Sequence, residues 1–387
     1  MGDAGPGELP REGDFRALMN FEVTEAQSAI RDSAREVARE LVGRAAGFEA
    51  NQEVPAEVYS ELGRRGLMAV GVPRALGGHD AGTVAYSLAM TEIASACAST
   101  AVTMAVTNMV GEVIAEFGSD TQKQTYCPQL ASGRHGAFAL SEVGAGSDPG
   151  GMTTTATLED GQWTLRGTKQ WISHADTAAV LVVWARTDGA GPRGLSCFLV
   201  PGDVPGLRIA SHEDKLGLRA SHTIALELDS VRLPADALLG ERGSGFAVAM
   251  MALDGGRIGI GSQALGIARG AYDETLRVLR EGRPDQGALW RIADIETRLS
   301  AARHLVLRAA AAKEAKLPFS KDASIAKAFA TEAAWTVCNE CVELLGEEAL
   351  DASHPVQRAL RDVRVTLIYE GTSEVQRIVI ARHALGR

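Results

Sequence analysis

The order of helical and β-prone segments constrains the fold of this chain most strongly. Residues 16–134 are rich in Ala, Glu, Arg and Met at helical spacing, and Thr24 with Gln27 fits a capping box at the start of a helix. Residues 135–243 change to short β-prone runs broken by turn residues, and residues 244–387 return to long helical patterns. Apolar residues spaced three and four apart indicate helices, whereas strict alternation indicates half-exposed strands. We therefore predict an α+β multidomain protein, with a helical domain, a middle β-domain and a second helical domain in chain order.

Length and charge exclude several classes of protein. The chain has 387 residues, which is more than a single hydrophobic core usually serves, and its formal net charge of −10 argues against a nucleic-acid partner. Residues 1–15 have no apolar core of the kind found in a secretory signal, and we interpret them as a flexible tail. We also expect no apolar run long enough for a membrane helix, and we predict a cytoplasmic protein.

The cysteines do not predict a disulfide framework or a metal site. The chain has five of them, which is an odd and sparse set. Cys338 and Cys341 form a CxxC within one predicted helix, but no second pair of ligands stands at the expected spacing. We expect buried free thiols, because a free cysteine behaves as a small hydrophobic residue.

Residues 367–377, LIYEGTSEVQR, place a carboxylate in an apolar setting. Glu370 is either a charge in an exposed turn, as most glutamates are, or a general base directed into a pocket. Apolar neighbours would raise the pKa of the carboxyl group and make it a better base near neutral pH. Gly371 would let the backbone approach a ligand closely.

Other stretches allow both a binding role and a structural one. Residues 139–148, ALSEVGAGSD, combine glycines with hydroxyl groups, which suits a ligand-binding loop or a plain connection. Trp171 of KQWISHAD is either a stacking platform or a core residue. We interpret residues 240–246, GERGSGF, as a loop that starts a helix. Lys215 and Arg219 either meet anionic groups or are solvated.

Taken together, these stretches resemble the acyl-CoA dehydrogenase family from about residue 20 to the C-terminus. The motifs that carry the resemblance are ALSEVGAGSD, KQWIS, KLGLRASHT, LDGGRIGIGSQALGIA and IYEGTSEVQR. The residues before Arg257 and around Glu370 are most similar to the short- and medium-chain branch. The resemblance implies an N-terminal helical domain, a middle β-barrel and a C-terminal four-helix bundle. It also implies bound FAD and a homotetramer, or at least a dimer.

The implied reaction is the α,β-dehydrogenation of a short or modified acyl thioester, carried on CoA or on a carrier protein. Glu370 would take the α-proton, and the β-hydrogen would leave as hydride to flavin N5. Gly256 stands where another branch of the family has its base, so Glu370 is the only base that the family positions offer. The implied electron acceptor is an electron-transfer flavoprotein, or oxygen if the protein is an oxidase. The resemblance therefore implies an oxidoreductase of fatty acid or secondary metabolism.

The resemblance also assigns site residues position by position. Those assigned to the cofactor are Phe138, Leu140, Ser141, Gly146, Ser147, Trp171, Ile172, Ser173, Thr372 and Glu374. Those assigned to the substrate are Ser147, Asp254, Arg257 and Gly371.

Two segments depart from the family pattern. They are residues 280–290, REGRPDQGALW, and residues 343–350, ELLGEEAL, and both correspond to contacts with the ADP half of FAD. Glu347 and Glu348 bring negative charge where a pyrophosphate would lie. Three explanations follow: weaker or altered FAD binding, a different subunit arrangement, or a non-catalytic relative. Altered flavin chemistry on the same fold is a further alternative.

Overall fold

The computed structural model of the protein describes residues 22–386. The predicted tail, residues 1–15, lies outside this range. Helices come first in the described chain, strands follow, and helices return. The predicted order of helical, β and helical segments is confirmed.

The first group of helices precedes the sheet and comprises α1 (Glu25–Val42), α2 (Ala45–Asn51), α3 (Ala56–Arg64), α4 (Gly82–Ala96), α5 (Ala98–Phe117) and α6 (Asp120–Ala131). The strands are β1 (His135–Ala139), β2 (Thr155–Glu159), β3 (Gln162–Ser173), β4 (Ala178–Arg186), β5 (Leu195–Pro201), β6 (Leu207–His212), β7 (Thr223–Pro234) and β8 (Leu238–Leu239). The second group of helices is α7 (Gly245–Leu279), α8 (Gln286–Glu314), α9 (Ser320–Leu345), α10 (Pro355–Val363) and α11 (Ser373–Ala384).

The chain divides into two compact units. The helix unit consists of the described parts of Met1–Arg39 and Arg257–Arg387 together with Ala81–Ala98. The sheet unit consists of Glu40–Asp80 and Ser99–Gly256. The domain boundaries that composition suggests, after residues 134 and 243, remain predictions.

The core of the sheet unit lies on both faces of β4. The strands hydrogen-bond in the order β6-β7-β3-β2-β4-β5-β8, and β1 pairs with β4 in parallel. Along β4, Val180, Val182 and Trp184 belong to one buried cluster, and Leu181 and Val183 belong to another. Successive side chains of a strand point to opposite faces, so an uninterrupted apolar run fits a strand buried on both sides.

Glycines allow two helices of the helix unit to approach each other closely. A Cβ atom at Gly266 of α7 would lie 2.4 Å from the carbonyl oxygen of Thr91, on α4. A Cβ atom at Gly270 would lie 2.2 Å from the carbonyl oxygen of Ser95, on the same helix. No side chain fits at these distances, so α7 and α4 pack backbone against backbone at the two glycines.

Helix α5 corrects the expectation that no apolar run approaches membrane-spanning length. Ala98–Phe117 has 20 residues, and an 18-residue stretch of it has a mean hydropathy of 1.2, which is long and apolar enough to cross a membrane by length and composition. However, 83% of this stretch is buried inside the protein, as it is in the core helices of soluble proteins. The small residues of this helix are apolar all round, which is typical of a buried helix.

Two local predictions are confirmed. Thr24 and Gln27 form a capping box at the start of α1, in which each backbone N–H donates to the other side chain, at 3.0 and 3.2 Å. The five cysteines are free and buried.

A buried ion pair holds the loop that follows β1. Lys169, on β3, is fully buried, and its Nζ donates to Glu142 Oε1 at 2.9 Å and to the carbonyl oxygen of Leu140 at 3.1 Å. Glu142 also accepts hydrogen bonds from the backbone N–H groups of Thr153 (2.7 Å) and Thr154 (3.0 Å). Burial opposes ionisation of Glu142, but Lys169 and these donors outweigh burial and lower the pKa of the carboxyl group to about 2. The pair therefore stays charged, and it fixes the start of the predicted cofactor loop.

We expect Lys169→Met to lower the free energy of unfolding by about 3–5 kcal/mol, because it leaves the carboxylate of Glu142 buried without its cation. Urea denaturation measures this difference. The matched control is Arg208→Ala, which removes an exposed partner of Asp229 and should cost at most about 1 kcal/mol. Equal losses in the two variants would show that the buried pair does not hold the loop.

Candidate active site

The segment around Glu370 has a constrained backbone. Glu370 has a φ of +54° and Gly371 a φ of +85°, and the left-handed region is uncommon for a residue with a side chain. The side-chain amide of Gln376 donates to the carbonyl oxygens of Glu370 and Gly371, at 3.1 and 2.9 Å. Lys327 Nζ donates to the Gly371 carbonyl oxygen at 2.7 Å. Side chains of the two neighbouring helices therefore hold Glu370 in this conformation.

One oxygen of the half-buried Glu370 side chain is itself fully buried. Its Oε2 atom has no hydrogen-bond partner within residues 22–386. Burial raises the pKa of the Glu370 carboxyl group to about 7, while the charges of Arg257 and Lys327 act in the opposite direction. A carboxylate with this pKa is a suitable general base near neutral pH. The geometry favours a base over an exposed turn charge, and the catalytic role of Glu370 remains a proposal.

Two cations accompany Glu370 in the helix unit. Arg257 is buried on α7, and its Nη1 donates to Ser324 Oγ at 3.2 Å. Lys327 is buried on α9, and burial lowers its pKa to about 8. Sequence reasoning found Arg257 but missed Lys327. A signal was present, since Ser324, Lys327 and Thr331 put polar groups on the alanine-rich face of α9 at helical spacing.

The residue before the base is anchored by its own hydrogen bonds. The phenol of Tyr369 donates to Gln263 Oε1 of α7. Gln263 Nε2 in turn donates to the carbonyl oxygen of Ala98 at 3.1 Å. This chain of contacts connects the Glu370 segment to α7, the helix that carries Arg257.

In the sheet unit, the loop after β1 meets the end of β3. The backbone N–H of Gln170 donates to the carbonyl oxygen of Ser141 at 2.9 Å, and a Cβ atom at Gly146 would lie 3.8 Å from the Trp171 ring. Trp171 has a φ of +60° and is 53% exposed, so it is not a core residue. The structure therefore brings together two of the stretches that the resemblance assigns to the flavin.

The two stretches that meet at this tryptophan carry a glycine beside the ring and three serine hydroxyls. The hydroxyls of Ser141, Ser147 and Ser173 donate to no other residue in the described part of the chain. An exposed indole beside a glycine and unused hydroxyls suits a planar ring with polar edges. In the helix unit, the buried carboxylate of Glu370 also lacks a partner that a ligand would supply. The residues present therefore fit the FAD and the carbon-acid substrate that the resemblance implies.

Some predicted site residues have structural roles. Phe138 packs against Trp184 with ring centroids 4.4 Å apart, and Leu140 and Ile172 are buried in the two core clusters. Any contact of Leu140 or Ile172 with a cofactor would involve its backbone, whereas Phe138 is only partly buried. Thr372 caps α11 by accepting from the backbone N–H of Val375 at 3.3 Å.

The remaining predicted residues lie as follows. Glu374 is exposed in the first turn of α11, where the hydroxyl of Thr372 lowers the pKa of its carboxyl group. Asp254 is half-buried on α7. In the loop before β7, Lys215 Nζ donates to the carbonyl oxygen of Ser221 at 2.9 Å, and Arg219 pairs with the exposed Asp214 at 2.9 Å. These contacts give the two cations roles in the loop itself.

Comparison with known proteins covers almost the whole described chain. The N-terminal, middle and C-terminal domain models of acyl-CoA dehydrogenase match residues 24–134, 137–231 and 243–385. The short-chain specific acyl-CoA dehydrogenase (mitochondrial) of Bos taurus is 44% identical over 379 residues, which cover 95% of this chain and 92% of that protein.

Two solved structures show the same similarity. One comes from a structural study of the electron transferring flavoprotein of Acidaminococcus fermentans. It has a TM-score of 0.93 and 34% sequence identity, and the match covers 95% of this chain and 100% of the other. The second is butyryl-CoA dehydrogenase from Megasphaera elsdenii, with a TM-score of 0.92, 34% identity and the same coverage. The chain therefore belongs to the acyl-CoA dehydrogenase family.

Proposed function

We propose that this protein catalyses the FAD-dependent α,β-dehydrogenation of a short-chain acyl-CoA. The observation that carries the proposal is the buried Oε2 atom of Glu370, which has no hydrogen-bond partner in the described chain, in a carboxyl group with a pKa of about 7. The names of the relatives support the substrate class, because both the bovine and the Megasphaera proteins are named for short acyl-CoA thioesters. These names favour CoA over a carrier protein.

Each residue near Glu370 has a part in this chemistry. FAD is the cofactor of the family and, when bound, accepts the β-hydrogen as hydride. Glu370 removes the α-proton of the thioester. The backbone N–H of Glu370 donates to no group within the described residues, so it is available to the thioester oxygen, where negative charge develops. Arg257 and Lys327 keep the pKa of Glu370 from rising further.

The alternatives from the sequence are less well supported. A non-catalytic or partner-dependent member is not favoured by relatives that are enzymes by name. No specific observation supports altered flavin chemistry on the same fold. Gln376 and Lys327 hold the Glu370 segment by hydrogen bonds, and two cations lie close enough to act on its carboxyl group, which supports a working enzyme.

We expect Glu370→Gln to retain bound flavin after desalting and to lose substrate-driven bleaching of the flavin band. Glutamine keeps the shape of the side chain but removes the base, and loss of a general base costs about 100- to 10,000-fold in rate. The measurement is rapid mixing with butanoyl-CoA.

Glu159→Gln, on an exposed position of β2, is the matched control and should bleach at the wild-type rate. Wild-type bleaching in Glu370→Gln would exclude Glu370 as the base. Loss of the flavin band from wild type on desalting would instead support the weaker-binding alternative.

The rate of flavin bleaching in the wild type should fall about tenfold per pH unit below pH 7, because protonation of Glu370 removes the base, and should level off above pH 7. Lys327→Met should move this midpoint upwards by about one pH unit or more, since removal of a nearby positive charge disfavours the carboxylate. The control is Lys321→Met, which changes an exposed lysine on the same helix. An unchanged or lower midpoint in Lys327→Met would contradict the electrostatic role of Lys327.

We further propose a homo-oligomer, either a dimer or a tetramer. The two segments that depart from the family pattern lie side by side in the helix unit, because Arg291 of α8 pairs with Glu340 and Glu343 of α9. Leu289, Trp290 and Leu350 are large apolar residues that are exposed in or beside these segments. Exposed apolar patches of this kind mark interfaces.

Electron acceptor and location also remain proposals. The match to a chain reported with an electron transferring flavoprotein supports such a flavoprotein as the acceptor, in preference to oxygen. A location in the cytoplasm stays the prediction made from the sequence.

We expect the purified wild-type protein to have the mass of a dimer or tetramer by light scattering, and Trp290→Ser to shift the equilibrium towards the monomer. Leu158→Ser, at an exposed apolar position of β2, controls for general loss of hydrophobicity and should leave the mass unchanged. A monomeric wild type would overturn the proposed assembly.

A further inference from the structure

A cluster of histidines and one aspartate lies at the edge of the sheet unit, and the proposed dehydrogenation does not use it. His174 and Asp176 follow β3, His212 ends β6, and His222 immediately precedes β7. One ligand atom from each of His174, Asp176 and His222 lies within 4.8 Å of the other two. Imidazole and carboxylate groups are common ligands of divalent transition metals.

We propose that His174, Asp176 and His222 bind a divalent transition-metal ion such as Zn²⁺, with His212 as the nearest side chain for a fourth ligand position.

The aspartate is the first reason for this assignment. Asp176 Oδ2 accepts from His222 Nδ1 at 2.6 Å and from His212 Nε2 at 3.2 Å. Its other oxygen, Oδ1, is buried and has no hydrogen-bond partner within residues 22–386. Burying a carboxylate oxygen without a hydrogen-bond partner costs free energy of folding, and coordination to a metal ion would offset that cost. An ordinary ion pair with His222 leaves this atom unexplained.

The ligand atoms of His174, Asp176 and His222 lie within 4.8 Å of one another, close enough for a small ion to draw them together. Zn²⁺ binds nitrogen and oxygen ligands at about 2.0–2.2 Å in a tetrahedral arrangement, which places ligand atoms roughly 3.3 Å apart. The distance between His212 Nε2 and Asp176 Oδ2 already matches, at 3.2 Å. The hydrogen bond between His222 Nδ1 and Asp176 Oδ2, at 2.6 Å, would lengthen as the metal replaces its proton.

The deepest ligand is held in place by groups behind it. His174 is buried, and its Nε2 contacts Thr103 Oγ1 at 2.7 Å and Ser221 Oγ at 3.2 Å. Hydrogen bonds of this kind fix the ring orientation of metal-binding histidines.

The cluster is accessible to an ion from a cavity. A cavity of about 330 Å³ is lined by His174 and His222 together with His135, Thr177, Arg134 and Glu53. His212 is the most exposed of the four proposed ligands. Since the ligands come from the ends of β3, β6 and β7, a bound ion would join three strands beside Ser173.

The test uses the full chain loaded with FAD and treated with a chelator. Zn²⁺ binding is measured by calorimetry, and Co²⁺ binding by its d–d absorption at wavelengths beyond the flavin bands. We expect one ion per chain and a higher thermal midpoint with Zn²⁺. Asp176→Asn and His222→Asn should each weaken Zn²⁺ binding by about 10- to 100-fold or more.

His304→Gln is the matched control, because it removes an exposed histidine of α8 in the helix unit, and it should bind Zn²⁺ as wild type does. His222→Asn changes a partly exposed side chain, so it provides a variant that folds if Asp176→Asn does not. The proposal is overturned if wild type binds no ion, or if folded His222→Asn binds Zn²⁺ and Co²⁺ as tightly as wild type.

Discussion

In each of the two units, a buried lysine that donates to a backbone carbonyl oxygen fixes a segment with predicted site residues. In the sheet unit, Lys169 bonds the carbonyl of Leu140 and thereby fixes the loop that carries Ser141 and Ser147. In the helix unit, Lys327 bonds the carbonyl of Gly371 and fixes the turn that carries Glu370. Burial lowers the pKa of each lysine to about 8. A buried ammonium group is costly, and it persists only where its surroundings provide acceptors and countercharge.

The two lysines differ in how their charge is compensated. Lys169 has a direct ionic partner in Glu142, and that carboxylate is fully hydrogen-bonded, which suits a rigid structural element. Lys327 acts on Glu370 through its charge, and the Oε2 atom of Glu370 keeps no hydrogen bond in the described chain. A carboxylate that is tied by strong hydrogen bonds has a low pKa and is a poor base. The second arrangement leaves the carboxylate able to take a proton.

Sequence reasoning reached the fold and singled out Glu370, the proposed base, because these depend on local patterns. The order of helices and strands follows from periodicity, and Thr24 with Gln27 marks the start of a helix by its spacing alone. Glu370 and Trp171 were found through motifs, but their left-handed backbone conformation was not, since that depends on contacts with other elements. Lys169 lies 27 residues from Glu142, and local patterns do not reveal such a pair.

The short range of sequence patterns also explains the other differences between the predicted and the observed roles of residues. Phe138, Leu140 and Ile172 stand in motifs of the family, yet their side chains serve the core, because alternate residues of a strand face opposite ways. The ligands of the proposed metal site are spread over residues 174–222, and no motif spacing connects them. They meet only because the ends of β3, β6 and β7 are neighbours in the sheet.

The glycines of α7 have a consequence for the charge at the base. Gly266 is nine residues from Arg257 on the same helix, which is a rise of about 13.5 Å along its axis. A single methyl group at Gly266 would meet the backbone of α4 and push the two helices apart. Because a helix moves largely as a rigid rod, that displacement would be carried to Arg257. The electrostatic setting of Glu370 thus depends on the absence of a methyl group more than two helical turns away.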